Sequence, residues 1–197
     1  MKPTILVTPP TIDPVTVAEA KALARIETDG ADTTIEELIA EATSRIEEVT
    51  SRQLVEATRK LFLNDFPGAE EIELPRPPLQ SVTSVEYRDT DGTWQTLTVD
   101  DDYVVDTSGG GTTPDDLSNV GRIYLPQDAS WPSTYDEPNS VRITYVCGYP
   151  LDSGAATTPQ SLKQAIKYAV ADLYDGTECR QQAIKNIILR FKVDFFL

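Results

Sequence analysis

The sequence predicts an α+β fold, in which a helical core of about four helices carries an inserted antiparallel β-rich module. Helical hydrophobic periodicity occupies both ends of the chain, short strand patterns occupy the middle, and glycine- and proline-rich breakers separate those strands. We therefore expect an N-terminal helical segment at residues 1–56, the β-rich module at residues 57–150, and C-terminal helices with a tail at residues 151–197.

The first helix is expected to begin at Thr16. Thr16 and Glu19 have the spacing of a capping box, in which each side chain accepts a hydrogen bond from the other residue's backbone amide. The residues that follow are good helix formers, and Gly30 is expected to end the helix.

A second helix is predicted from about Thr33 to Ser51, with a capping box formed by Thr33 and Glu36 or by Thr34 and Glu37. Its apolar residues recur at helical spacing and predict one buried face: Ile35, Leu38, Ile39, Ala42, Ile46 and Val49. The charged residues of the other face are expected to be solvated: Glu36, Glu37, Glu41, Arg45, Glu48 and Arg52.

The middle of the chain contains short runs typical of strands, at 61–63, 72–74, 82–87, 96–99, 103–105, 122–125 and 141–146. Asp91 and Gly92 lie between two of these runs and favour a tight hairpin turn. Short strands at this spacing predict a small antiparallel barrel or sandwich.

Helices are predicted again after Pro150. Thr158 is expected to cap a helix whose first position is Pro159, and Gly176 is expected to end it. Its predicted apolar stripe is Leu162, Ala165, Ile166, Ala169, Val170 and Leu173. A last helix is predicted from Glu178 to Lys192, and the apolar triplet Phe195-Phe196-Leu197 ends the sequence. The triplet either folds back onto the chain's own core or docks on another protein.

Composition excludes several classes of function. The chain has 197 residues, no histidine and a formal net charge of -15, so histidine-dependent catalysis is excluded and general binding of phosphates is disfavoured. Residues 179–197 are the exception, with four basic residues against one acid. No run is long enough for a membrane helix, no signal peptide is evident, and Cys147 and Cys179 are expected to be reduced. We expect synthesis in a cytoplasm and no membrane partner.

Three segments could in principle carry chemistry. Asp100 to Asp102, with Asp106, form an acidic cluster that lacks the glycine of a calcium loop, so we expect a solvated turn and no metal. Gly109 to Gly111 lack the lysine of a phosphate loop and are expected to form a hairpin tip. Trp94 and Trp131 could stack on a sugar but are more typical of core or interface anchors. We predict no catalytic residue and no cofactor.

Several short motifs occur along the chain in an order that resembles a known protein family. The motifs in the first half are Phe66-Pro67, the segment 72–79, the segment 81–87, Asp91-Gly92 and the segment 102–106. Those in the second half are Gly121-Arg122-Ile123, Trp131-Pro132, the segment 141–150, and Pro159 with Leu162, Ala165 and Ile166. Together they resemble the head-to-tail connector (adaptor) family of long-tailed phages and related gene-transfer particles.

The resemblance implies a non-enzymatic subunit of a twelve-fold homo-oligomeric ring at the head–tail interface of the virion, made in the cytoplasm of a host bacterium. Such a ring lies below the portal protein, extends the channel through which DNA passes, and supports the next connector or stopper protein. It also implies portal contacts in the C-terminal region, at Arg190, Phe191, Phe195, Phe196 and Leu197.

Two other functions remain open from the residues alone. The β-rich module could be a carbohydrate-binding or adhesin-like module that uses Trp94 and Trp131. A carboxylate hydrolase that uses residues among Asp100 to Asp102 is a weaker third hypothesis.

Overall fold

The computed structural model describes residues 4–68, 71–108 and 120–193. The chain forms two compact units. Within the described residues, one unit contains residues 4–9 and 56–148 and consists of β-sheets. The other contains residues 10–55 and 149–193 and is largely helical. The α+β fold class predicted from the sequence is confirmed.

The β-sheet unit contains eight strands within the described residues: β1 Thr4–Thr8, β2 Ala57–Leu63, β3 Glu71–Glu73, β4 Leu79–Arg88, β5 Trp94–Leu97, β6 Val104–Asp106, β7 Arg122–Tyr124 and β8 Val141–Cys147. Five of them form one sheet in the order β1-β2-β8-β4-β5, and three form a second sheet in the order β3-β7-β6. Every pair of neighbouring strands is antiparallel.

One hydrophobic core lies between the two sheets. The larger sheet contributes Leu61, Val85 and Ile143, and the smaller sheet contributes Ile72 and Ile123. Along β8, buried and half-buried residues alternate, which is the pattern of a strand with one face in a core. The unit is therefore a small antiparallel sandwich, one of the two forms that the sequence predicts.

All seven strands predicted between residues 61 and 146 are present, with ends that differ by a few residues. Gly92 has a φ of 82° in the β4–β5 turn, which agrees with the hairpin predicted at Asp91-Gly92. The sequence reasoning missed β1, because its apolar residues do not alternate with polar ones and its partner β2 begins about 50 residues later.

The helical unit contains four α-helices within the described residues: α1 Val17–Ala24, α2 Asp32–Thr50, α3 Gln160–Asp175 and α4 Gln181–Phe191. A short hairpin, β9 Leu151–Asp152 with β10 Ala155–Ala156, precedes α3 and was not predicted. The core of this unit includes Ile35, Ile39, Ile46, Leu162 and Ile166, which come from the predicted apolar faces of α2 and α3.

Some predicted helix ends are confirmed and others are wrong. Thr16 caps α1, and the capping box with Glu19 is complete. Gly176 ends α3 in the left-handed conformation, as predicted. The prediction that Gly30 ends α1 is wrong, since the helix ends at Ala24 and Arg25 is left-handed at its C-cap.

Both other predicted N-terminal caps are wrong. Helix α2 follows Ala31 and has no side-chain cap, so neither predicted capping box forms. Helix α3 follows Pro159 without a side-chain cap, because the hydroxyl of Thr158 donates to the backbone oxygen of Leu54 at 2.6 Å. In both cases a tertiary or backbone arrangement replaces the local hydrogen bond that the sequence pattern favours.

Two side chains of the α2 region lie opposite to expectation. Val49, predicted to be buried, is 47% exposed, and Thr50 is buried in its place. Arg52, predicted to be solvated, is only 2% exposed. Among the described residues, no helix combines the length and apolarity that a bilayer span requires.

Candidate functional site

The C-terminal helix α4 is positioned by the turn that precedes it. Asp172 is buried near the end of α3, and its carboxylate accepts hydrogen bonds from the backbone N–H of Arg180 at 3.0 Å and from the Arg180 guanidinium at 2.8 Å. The pKa of Arg180 is raised by this hydrogen bond to Asp172. A buried carboxylate bound in this way fixes the direction in which α4 leaves α3.

Helix α4 has one buried side and one exposed side. Ile184 and Phe191 are buried in the helical unit, whereas Lys185 and Arg190 are exposed. Leu189 lies on the exposed side with 56% of its surface accessible. A basic helix face that also exposes a large apolar residue is typical of a protein-binding surface.

The end of α4 is held against the end of α2. The Nε atom of Arg52 donates to the backbone oxygen of Phe191 at 2.6 Å, and the backbone N–H of Val193 donates to the oxygen of Thr50 at 3.0 Å. Burial lowers the pKa of Arg52, and a hydrogen bond and the charge interaction with Tyr149 act in the opposite direction. The chain is thus fixed as far as Val193.

The residues predicted to contact a portal protein are placed as follows. Arg190 is exposed on α4. Phe191 is 7% exposed and packs into the helical unit. Phe195, Phe196 and Leu197 lie outside the described residues. Sequence reasoning missed the role of Arg52, because the carbonyl that it binds lies 139 residues further along the chain.

The acidic cluster forms a turn. The Asp102 carboxylate accepts a hydrogen bond from the backbone N–H of Thr98 at 2.7 Å, and Asp100 has a φ of 69°. Among residues 4–68, 71–108 and 120–193, no group of three or more acidic or cysteine side chains could hold a metal ion. Gly109 to Gly111 lie outside the described residues. Cys147 is buried and Cys179 is exposed, and the two do not form a disulfide bond.

Each tryptophan has one ring face covered by a protein group. Trp131 stacks on Phe66 with ring centroids 4.8 Å apart, and it packs against the core of the sandwich. Trp94 lies below the guanidinium of Arg142, whose central carbon is 3.9 Å from the ring centroid. Both arrangements are typical of structural aromatics.

Residues 14–93, which contain α1, α2 and the strands β2 to β4, match the model of the phage gp6-like head-tail connector protein family. Over these residues, the chain is similar to head-tail connector proteins. No curated protein matches the sequence.

The fold of the whole chain is similar to that of chains in gene transfer agent (GTA) particles. The chain is similar over 98% of its length to a chain in the virion of a native GTA particle, with 97% of that chain covered, a TM-score of 0.75 and 20% identity. It is similar over 99% of its length to a chain in the neck of an empty GTA particle computed with C6 symmetry, where 97% of that chain is covered, the TM-score is 0.75 and the identity is 20%.

A third structure, the neck of a native GTA particle computed with C12 symmetry, contains a chain with a TM-score of 0.70 and 20% identity; the match covers 100% of the present chain and 97% of that one. The match over residues 14–93 agrees with two predictions, that the chain is a head-tail connector protein and that its role is structural and non-enzymatic.

Proposed function

We propose that this protein is a head-tail connector and forms one subunit of a homo-oligomeric ring in the neck of a tailed phage or gene-transfer particle. The ring lies below the portal, extends the channel for DNA and supports the next connector or stopper protein of the tail. The observation that carries this proposal is the likeness of the whole fold, over 99–100% of the chain, to chains from GTA necks computed with C6 and C12 symmetry. A twelve-fold ring is the form that we propose.

The charge of the chain supports a role around DNA without DNA binding. Each subunit has a formal net charge of -15. A ring of such subunits repels phosphate groups, so that DNA can pass through its channel without being held.

The C-terminal region is the part that we propose to contact the portal. Arg190 and Leu189 on the exposed side of α4 supply a basic and an apolar contact, and Phe195, Phe196 and Leu197 add aromatic and apolar anchors. Phe191 acts indirectly, because its side chain is buried and its carbonyl binds Arg52. The exposed contacts thus begin from a helix whose end is fixed.

The test is the molecular mass of the purified chain, measured alone and mixed with its portal protein by light scattering or native mass spectrometry. We expect a ring of about twelve subunits, formed alone or on the portal. A variant that ends at Val193 keeps the hydrogen bond to Thr50, so it should fold with an unchanged melting temperature but lose portal binding.

Two results contradict the proposal. A wild-type chain that stays monomeric at high concentration and ignores the portal contradicts the ring. A shortened chain that folds and still binds the portal as tightly as the wild type contradicts only the role proposed for residues 194–197, and not the ring.

A further inference from the structure

The five-stranded sheet has two open edges. Strand β1 lies at one side and β5 at the other. Edge strands present backbone N–H and C=O groups that can pair with another chain, and natural proteins usually protect such edges with charged residues or proline. How each edge is protected therefore indicates whether a partner strand is expected there.

Neither edge of this sheet carries a charge. Residues 4–12 and 93–99 contain no Asp, Glu, Lys or Arg, although these types make up 25% of the chain. The three inner strands do carry charges, at Arg59 and Lys60, at Glu86 and Arg88, and at Arg142. This is the reverse of the usual distribution, in which charges protect the edges.

The edge strands also expose large apolar side chains. In β1, Ile5, Leu6 and Val7 are 53%, 46% and 47% exposed. Successive residues of a strand point to opposite faces, so β1 exposes apolar surface on both faces. Trp94 of β5 is 40% exposed. Pairing with β2 is regular from Thr4 to Leu6, where a register shift follows.

The net charge favours a second copy of the chain at these edges. Copies with a charge of -15 repel one another over most of their surface and can approach most closely at uncharged, apolar segments. The two edges are different surfaces of one chain. Contact between unlike surfaces is heterologous, which is the kind that closes into rings.

The strand directions allow one sheet to continue from copy to copy. Four antiparallel pairings separate β1 from β5, so the two strands run in the same direction. In a ring of many subunits, neighbours are related by a small rotation, and the two strands then meet as a parallel pair.

We propose that the β1 edge of one copy lies against the β5 edge of the next copy, and that this contact is the seam of the assembly. The inference rests on the proposed ring and specifies how its subunits join. Its partner is a second copy of this chain.

The test is cross-linking of the assembled protein, alone or on the portal, with a short bis-maleimide. Cysteines are placed at both edges, as Ile5→Cys with Thr96→Cys, in a chain where Cys179→Ser removes the exposed thiol. We expect the doubly substituted chain to give a ladder of covalent multimers. A mixture of the two singly substituted chains should give dimers only, and either single variant by itself should give none.

A second measurement tests the same contact without cross-linking, because two cysteines at a real contact can still have an unsuitable geometry for the cross-linker. Leu6→Lys places a charge on the β1 edge and should raise the concentration for half-assembly at least about tenfold. The matched control is Val49→Lys, at a position with nearly the same exposure in the helical unit, and it should change that concentration by less than about twofold. Circular dichroism establishes that both variants fold.

The outcomes separate this inference from the ring itself. If the mass shows a ring but no ladder forms and Leu6→Lys assembles normally, the seam is wrong and the proposed function stands. Dimers from Ile5→Cys alone indicate pairing of two β1 edges and also overturn the proposed seam. If the mass shows no assembly in any condition, both proposals fail.

Discussion

At the scale of single residues, the position of the candidate site depends most on Arg52. It is 2% exposed and donates from Nε to the carbonyl oxygen of Phe191, which fixes the end of α4. Thr50 reinforces the same junction by accepting a hydrogen bond from Val193. The geometry of the C-terminal region therefore depends on a side chain that lies far from it in sequence.

We expect Arg52→Met to destabilise the helical unit by about 3 kcal/mol, because it leaves the buried carbonyl of Phe191 without this donor and removes the hydrogen bonding to Tyr149. The matched control is Arg45→Met, since Arg45 is 65% exposed and lies 3.7 Å from Glu41. Its loss should cost less than about 0.5 kcal/mol. Urea unfolding followed by circular dichroism measures both. Equal effects of the two substitutions would contradict the role given to Arg52.

At the scale of elements, the cross-strand pair between β4 and β8 stabilises the centre of the larger sheet. Glu86 lies opposite Arg142 and accepts two hydrogen bonds from it, at 2.9 Å and 2.8 Å. The Arg142 guanidinium also covers the ring of Trp94 on β5. Three adjacent strands are linked through one arginine.

This pair predicts a dependence of stability on pH. The hydrogen bonds from Arg142 lower the pKa of Glu86 below its ordinary value of 4.5. Its stabilisation is therefore fully present above pH 4.5 and is lost as the pH falls through the lower, folded-state pKa. Glu86→Gln should cost about 1 kcal/mol at pH 7 and should make the unfolding free energy fall less steeply below pH 4.5.

The measurement is denaturant unfolding of the wild type and Glu86→Gln between pH 3 and pH 7. Glu37→Gln removes the same charge from the exposed face of α2 and should leave the free energy at pH 7 nearly unchanged. An acid profile of Glu86→Gln identical to that of the wild type would mean that the pair does not contribute.

At the scale of the whole molecule, the net charge of -15 disfavours binding of DNA, which suits a channel through which DNA only passes. We expect the chain to show no binding to duplex DNA at about 100 mM salt. Its 17 basic residues are outnumbered by 32 acidic residues, so the chain can neutralise few phosphate groups of the DNA. Fluorescence anisotropy with a labelled duplex measures this. Micromolar binding at that salt concentration would contradict the proposed channel.

The sequence predicts local features of this protein well. The capping box at Thr16, the turn at Gly92 and the end of α3 at Gly176 all depend on residues within a few positions of one another. The strands between residues 61 and 146 also follow from composition and breakers. Of the candidate site, the sequence located the basic C-terminal helix but not the contacts that hold it.

The sequence by itself thus determined the α+β class, the seven middle strands and the presence of helices at both ends of the chain, since these follow from periodicity and from short-range hydrogen bonds. Only the tertiary structure decided that Thr4–Thr8 joins the sheet as an edge, that Thr158 binds Leu54, and that Arg52 is buried against Phe191. The physical reason is that each partner lies about 50 to 140 residues away, so no local pattern records the contact.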